Sequence, residues 1–455
     1  MTETVNYGDN EKIPLKVNMV YGLGNMGTSL LTGIFDGAIV KYYTDKVFLE
    51  PIYIGIAFLI FAIWNALNDP IFGNMSDKTR TKIGRRIPYL RVTSFIFGIA
   101  FILLWFPPIG TQIEIFIYLL ITIFFFDTCF TIYGLCYIAL MPELSLDPNE
   151  RTKLSLYMTV FGMIAVMITF LIPFMFLTRI GGKAEFQFIC IIIAIVGTIL
   201  IILAAFTLKE RVGFYDKEKS FGLIENTKYC LKNKSFITFV IYNFGITLIF
   251  SNLVTSILYY TQYVINLTGA AVFLPLIIVI AGFFITYFLT PRLDEKFGFR
   301  KSLLITGVFG IFGFLLLLIP DVVLSSIAIS IIAASLAVYA ILGNPMIADI
   351  CDDDEIKTGT RREGSFFGIN ALVTKPAISL GVFILTFMLN YSEYFPQITE
   401  YFGFPQSVGV KIAIQITMGL IFAGVFGLSL ISLYFYPIHG EYYSRLKEEI
   451  KKRHL

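Results

Sequence analysis

The chain has 455 residues, of which 56% are hydrophobic and 15% charged, and its mean hydropathy is +0.77. Soluble domains carry charge at roughly a quarter of their positions, so this composition excludes a water-surrounded globule and requires lipid as the solvent. A net charge of +3 is too small to point to nucleic acid, and the placement of the charges is more informative than their sum.

A hydrocarbon core of about 30 Å needs roughly 20 apolar residues for each helical crossing. The N-terminal MTETVNYGDNEK is polar and mildly acidic, unlike a cleaved signal peptide. After it, apolar runs bounded by charged or Pro/Gly-rich breaks predict helices near 16–45, 50–76, 89–107, 112–141, 154–178, 186–208, 236–262, 270–291, 302–319, 323–348, 364–390 and 409–436. The runs are continuous, without the alternation of barrel strands, and unpaired backbone groups cannot face lipid, so the spans are helical. The expected fold is an all-α membrane protein of about twelve transmembrane helices.

Lysine and arginine fall almost entirely in alternate loops: Lys78 to Arg91, Arg151 and Lys153, Lys209 to Lys234, Arg292 to Lys301, Lys357 to Arg362, and Arg445 to Arg453. The positive-inside rule places both termini and the 209–235 linker in the cytoplasm. Two of these loops are echoed about 210 residues later. Asp77-KTRTKI-Gly84-Arg85-Arg86 returns as Asp294-EKF-Gly298-F-Arg300-Lys301, and MPELSLDPNERTKL returns as IADICDDDEIKTGTRREG. The echoes divide the chain into a half at 1–208, a linker at 209–235, a half at 236–436 and a tail at 437–455. Such parallel halves are the arrangement of major facilitator transporters, which bind solute near the bilayer midplane. Each echo on its own could equally arise from topology.

Other signals exclude other classes. The formal GxGxxG of Gly22, Gly24 and Gly27 opens a membrane helix instead of joining a strand to a helix, so close helix packing explains it better than a dinucleotide. Cys129, Cys136, Cys190, Cys230 and Cys351 are scattered, giving neither a disulfide framework nor a metal site. His439 and His454 both lie in the tail, which leaves no histidine for an intramembrane relay or a zinc site. No hydrolase or P-loop motif is present, so neither an enzyme nor an ATP-driven pump is expected and no cofactor is called for.

Four longer motifs are more specific: YGLGNMG with KYYTD, WNALNDPIFGNMSDKTRTKIGRRIPY, FTIYGLCYIALMPELSLDPNERTKLS and IADICDDDEIKTGTRREGSFFGINALVTKP. By these the chain resembles the glycoside–pentoside–hexuronide:cation symporters, the family typified by the melibiose permease. The resemblance spans nearly the whole chain. It implies a major facilitator fold of two six-helix pseudo-symmetric halves, alternating access, and a sodium, lithium or proton gradient as the driving force. A monomer in the cell membrane, with lipid and a small-molecule solute as its partners, is the corresponding expectation.

Ionisable groups deep in a span cost about 3 kcal/mol or more on insertion scales, which makes Asp36, Asp69, Asp127 and Lys375 functional candidates. Asn65 and Asp69 share one helical face with Asn68 beside them. The resemblance makes these three and Thr131 the cation site, but Asn65 stands where the melibiose permease has a second aspartate. With one carboxylate, direct protonation of Asp69 is favoured slightly over sodium. Asp69 could instead pair locally near the end of its helix.

Lys375 matches the family's helix 11 lysine, with Asn370 on the same helix. A fixed positive charge there could compete with the cation for Asp69. The aspartates and arginine that clamp sugar in the family are absent, with Ser29, Gly134 and Thr159 in their places. Asp36 and Asp127 could supply acidic groups to a differently shaped solute cavity, or pair with Lys41, or line a water path. Asp77, Arg85, Arg86, Asp294, Arg300 and Lys301 are expected to make cytoplasmic gate contacts, and Glu143, Arg151, Asp349 and Arg361 to join them, unless they only signal topology.

The leading expectation is cation-coupled symport of a small hydrophilic solute, with sugars or glycosides as the family default. An amphipathic or lipid-like substrate, or a non-transporting receptor on the same fold, stands as the alternative.

Overall fold

The computed structural model describes residues 13–145, 147–178, 181–210, 229–267, 273–359 and 363–453. These residues form twelve long helices. They are α1 (Leu15–Asp45), α2 (Pro51–Lys78), α3 (Ile87–Trp105), α4 (Gln112–Ile138), α5 (Pro148–Phe176) and α6 (Lys183–Thr207), followed by α7 (Lys234–Val264), α8 (Phe273–Phe297), α9 (Phe299–Leu316), α10 (Val322–Thr358), α11 (Glu363–Tyr391) and α12 (Val408–Tyr434). Ten of them, all but α1 and α8, meet the length and hydropathy needed to cross a membrane among the described residues. Large apolar side chains such as Ile121 and Ile199, 63% and 59% exposed at mid-helix, are surfaces suited to lipid.

Local sequence explains where the helices begin. Thr111 and Glu114 form a reciprocal capping box at α4. Asp147, Asn233 and Asp321 accept backbone N–H groups at the starts of α5, α7 and α10, and Pro51 and Pro148 open α2 and α5, where no N–H is needed. The end of α10 departs from expectation. Its helix continues ten residues past the predicted boundary at 348, through the run CDDDEIKT, and stops at Gly359 with φ 72°. The three aspartates are tolerated because their side chains find partners there, described below. A further helix, α13 (Gly440–Arg453), and a short one at Pro396–Phe402 occupy segments expected as tail and loop.

Two compact units result, Met1–Glu218 with Phe395–Phe404 and Lys219–Tyr394 with Pro405–Leu455. In the first, α1 packs on α5 and α6, α2 on α4, and α3 on α4 and α6; in the second, α7 packs on α11 and α12, α8 on α10, and α9 on α10 and α12. Each pairing in the first set recurs in the second with six added to both helix numbers. The bracing repeats too. Near the end of α1 the buried Tyr42 hydroxyl donates to the Trp105 carbonyl at the end of α3 over 2.5 Å, and near the end of α7 the buried Tyr260 hydroxyl donates to the Leu317 carbonyl after α9 over 2.8 Å. Both close the last turn of a helix whose final carbonyls have no partner in their own helix.

Candidate functional site

In the first unit α2 and α4 run side by side, and Asn68 joins them. Its side-chain amide donates to the Asp127 carboxylate and, over 2.8 Å, to the Thr131 hydroxyl. Asn68, Asp127 and Thr131 are 0%, 7% and 4% exposed. A buried carboxylate is tolerated only where hydrogen bonds or counter-charge replace its hydration. Asn65 and Asp69 lie three residues before and one residue after Asn68, and Pro70 follows within the helix. The expected cation residues Asn68 and Thr131 are thus in contact, and Asp127, expected at the solute cavity, belongs with them.

The other intramembrane candidates are arranged differently. Lys41 forms a 2.7 Å ion pair with Asp45, one turn away and also buried. Asp36 is exposed although it sits well inside α1. It ends a stripe of Asn25, Ser29, Thr32 and Asp36, spaced at helical intervals and none of them fully buried, in which the Asn25 amide donates to the Met158 carbonyl of α5 over 2.9 Å. Such a polar stripe suits contact with water or a hydrophilic solute. At Gly134 on α4 an added Cβ would meet only the Phe130 ring, at 3.9 Å, so that position borders open space.

In the second unit Asn370 of α11 accepts from the Asn243 amide of α7 over 2.8 Å, and Asn243 in turn accepts from the Tyr339 hydroxyl of α10. Lys375 lies half-buried on α11, directly before the in-helix Pro376. Asn243 and Tyr339 were not singled out in the sequence, although Asn243 satisfies the same test of a polar side chain deep in a span.

The expected gate residues divide into two kinds. Arg85 and Arg86 reach Glu143 over 3.1 and 2.7 Å, and the Arg86 amide donates to Glu210 over 2.8 Å. Gly84, at φ 112°, leaves the space that the Glu210 carboxylate fills. Burial pushes the Glu143 carboxyl above its usual value against the opposing pull of Arg86. Arg151 donates to the Ser145 carbonyl over 2.7 Å. The Arg300 guanidinium donates to the Leu433 and Tyr434 carbonyls at the end of α12, where the last carbonyls of a helix attract a cation.

Asp349 is held within its own unit. Lys447 of α13 contacts it at 2.6 Å and Asp352 at 2.9 Å, while Asp353 binds Lys357 at 2.7 Å. Asp294, at the end of α8, has its carboxyl pushed up by burial and then by Glu295. Arg361 and the side chain of Asp77 lie outside the described residues.

Comparison with known proteins agrees with this architecture. Residues 20–440 match the family described as MFS/sugar transport protein. A protein named putative 2,3-dihydroxypropane-1-sulfonate exporter in Salmonella typhimurium is 26% identical, covering 100% of this chain and 99% of its own. The isoprimeverose transporter of Lactiplantibacillus pentosus is 22% identical over 94% of this chain and 89% of its own. Among solved structures, the nucleoside transporter NupG superposes with a TM-score of 0.65 at 14% identity, covering 93% of this chain and 99% of that one.

Proposed function

From the premise that the chain belongs to the MFS/sugar transport protein family, we propose that it is a secondary active transporter moving a small hydrophilic solute in symport with a cation. The observation that carries this reading is the buried contact of Asn68 with Asp127 and Thr131, beside Asp69, in helices otherwise built to face lipid. Charge at such depth is costly and persists where an ion or proton uses it. The halves at 1–208 and 236–436 act as the alternating bodies, one copy suffices, and the basic loops with both termini face the cytoplasm of a cell membrane.

The polar stripe of Asn25, Ser29, Thr32 and Asp36 favours a hydroxylated solute over a lipid-like one, since an apolar substrate would call for an apolar wall. The solutes named for the relatives, 2,3-dihydroxypropane-1-sulfonate and isoprimeverose, set the first panel to try. Lys375 supplies a fixed positive charge suited to an anionic member of it. Uptake into proteoliposomes under an imposed sodium or pH gradient tests the proposal. Gradient-driven accumulation of one solute class supports it, and uptake that ignores both gradients across the whole panel refutes the coupling.

A further inference from the structure

We infer that the second unit carries a separate site for a phosphate-bearing ligand, set between the end of the 209–235 linker, the acidic extension of α10 and α13. A cavity of about 420 Å3 lies there, within the size range of small-molecule sites. Lys232 comes to it from the linker, Lys234 from the first turn of α7, Lys357 from α10 and Tyr442 from α13. All four belong to the second unit, and none of the intramembrane candidates lines the cavity. The inference therefore stands apart from the symport reading.

Charge decides what the cavity prefers. Its lining brings three lysines together with one acidic side chain, Asp354. Lys357 is already matched by Asp353 at 2.7 Å, whereas Lys232 and Lys234 form no ion pair among the described residues. The Asp354 carboxylate accepts from the Tyr229 hydroxyl over 2.7 Å, and Asp353 accepts from the Tyr442 hydroxyl, so the acidic groups fasten the linker and α13 to α10. The start of α7 does not hold the anion either, because Asn233 already accepts from the Ser235 and Phe236 amides over 2.9 and 3.2 Å. Two uncommitted ammonium groups remain at one cavity. A dianionic phosphate matches two such charges where a carboxylate matches one, and lysine serves phosphate as a point charge with three donors.

The linker and the tail are the segments assigned above to the cytoplasm, where basic pockets beside transmembrane helices take anionic lipid headgroups. A soluble phosphate ester presents the same group. Either ligand would bridge the linker lysines to α10 and so hold the adjoining α13 in place.

The test uses the purified full chain in neutral detergent, as the wild type, Lys232→Gln/Lys234→Gln and Lys232→Arg/Lys234→Arg. Thermal unfolding is followed with glucose 6-phosphate against glucose plus potassium chloride at matched ionic strength, and with phosphatidylglycerol against phosphatidylcholine in the micelles. The wild type should show a saturable rise in Tm with a phosphate-bearing anion over its control, and proteolysis within 440–453 should slow at least threefold. Both lysines are exposed, so the unliganded variants should melt with the wild type. The half-saturating concentration should rise at least tenfold in the glutamine pair and stay near the wild-type value in the arginine pair.

A response to phosphatidylglycerol alone upholds the site and assigns it to a headgroup, and a response to glucose 6-phosphate alone upholds it for a free ester. A glutamine pair that titrates as the wild type, or a wild type that answers the anions no better than their controls, overturns the site and leaves the transport reading untouched.

Discussion

Lys41 and Asp45, 0% and 3% exposed, form a buried pair whose two members are one helical turn apart. Removing one charge of such a pair strands the other, at about 3–5 kcal/mol, whereas replacing both with apolar residues of similar volume is close to neutral. Lys41→Met alone should therefore lower folded yield and Tm sharply, and Lys41→Met with Asp45→Leu should recover most of the loss in a fluorescence-detected melt. The existence of intramembrane charges was legible in the sequence, but their partners were not. The sequence offered Asp36 and Asp127 as partners for Lys41, whereas Asp45, one turn further along the same helix and in contact with it, was not singled out. Asp127 was likewise visible as a costly residue, yet its neighbour Asn68 comes from a different helix, a fact that spacing along α4 does not contain.

At the level of elements, α13 shows how a short polar helix completes an acidic one. The long α10 carries Asp349, Asp352 and Asp353 on the extension beyond its predicted end, and Lys447 answers two of them. Because the Lys447 side chain is 41% exposed, solvent screening limits the pair to about 1 kcal/mol. Lys447→Ala should leave the melt little changed while proteolysis within 440–453 accelerates several-fold.

The junction before α13 should also respond to pH. Burial, then the positive charges of Arg300 and Lys301, hold the His439 imidazole below its usual value. Stability from its neutral form is thus present above the ordinary imidazole value of about 6.5 and is lost as pH falls through the lowered one. Proteolysis of α13 should be faster at pH 5 than at pH 7.5, and His439→Gln should remove that difference. Helix existence was readable from hydropathy throughout. The extension of α10 was not, because a run of aspartates reads as loop until a partner for it is known.

At the level of the whole molecule, the halves repeat their helix pairings and their tyrosine braces although the loops that announced the duplication have diverged. The braces predict matched energetics. Tyr42→Phe and Tyr260→Phe each remove one hydrogen bond to a helix-terminal carbonyl, worth about 1 kcal/mol. Their effects on thermal unfolding should be similar in size and additive in the double variant, since sites without shared partners combine independently. Hydropathy showed twelve helices and the loop echoes hinted at two halves. The braces themselves were invisible, because tyrosines are frequent in this chain and nothing local distinguishes Tyr42 or Tyr260 from Tyr43 or Tyr259.

The segment Phe395–Phe404 lies between α11 and α12 in the chain but belongs to the unit formed by the N-terminal half. Glu400 holds it there, bonded to Lys46 at 2.6 Å and to the Gly181 amide at 2.9 Å, with Tyr401 against Phe48. A polypeptide cut in the stretch joining α6 to α7 would therefore yield two pieces of unequal self-sufficiency. The first would expose a vacant seat with Lys46 lacking its counter-ion, and the second would carry the missing strap with nowhere to dock it. Assembly of such fragments would obey mass action, so co-expression at high level should yield stable material where separate expression yields aggregate.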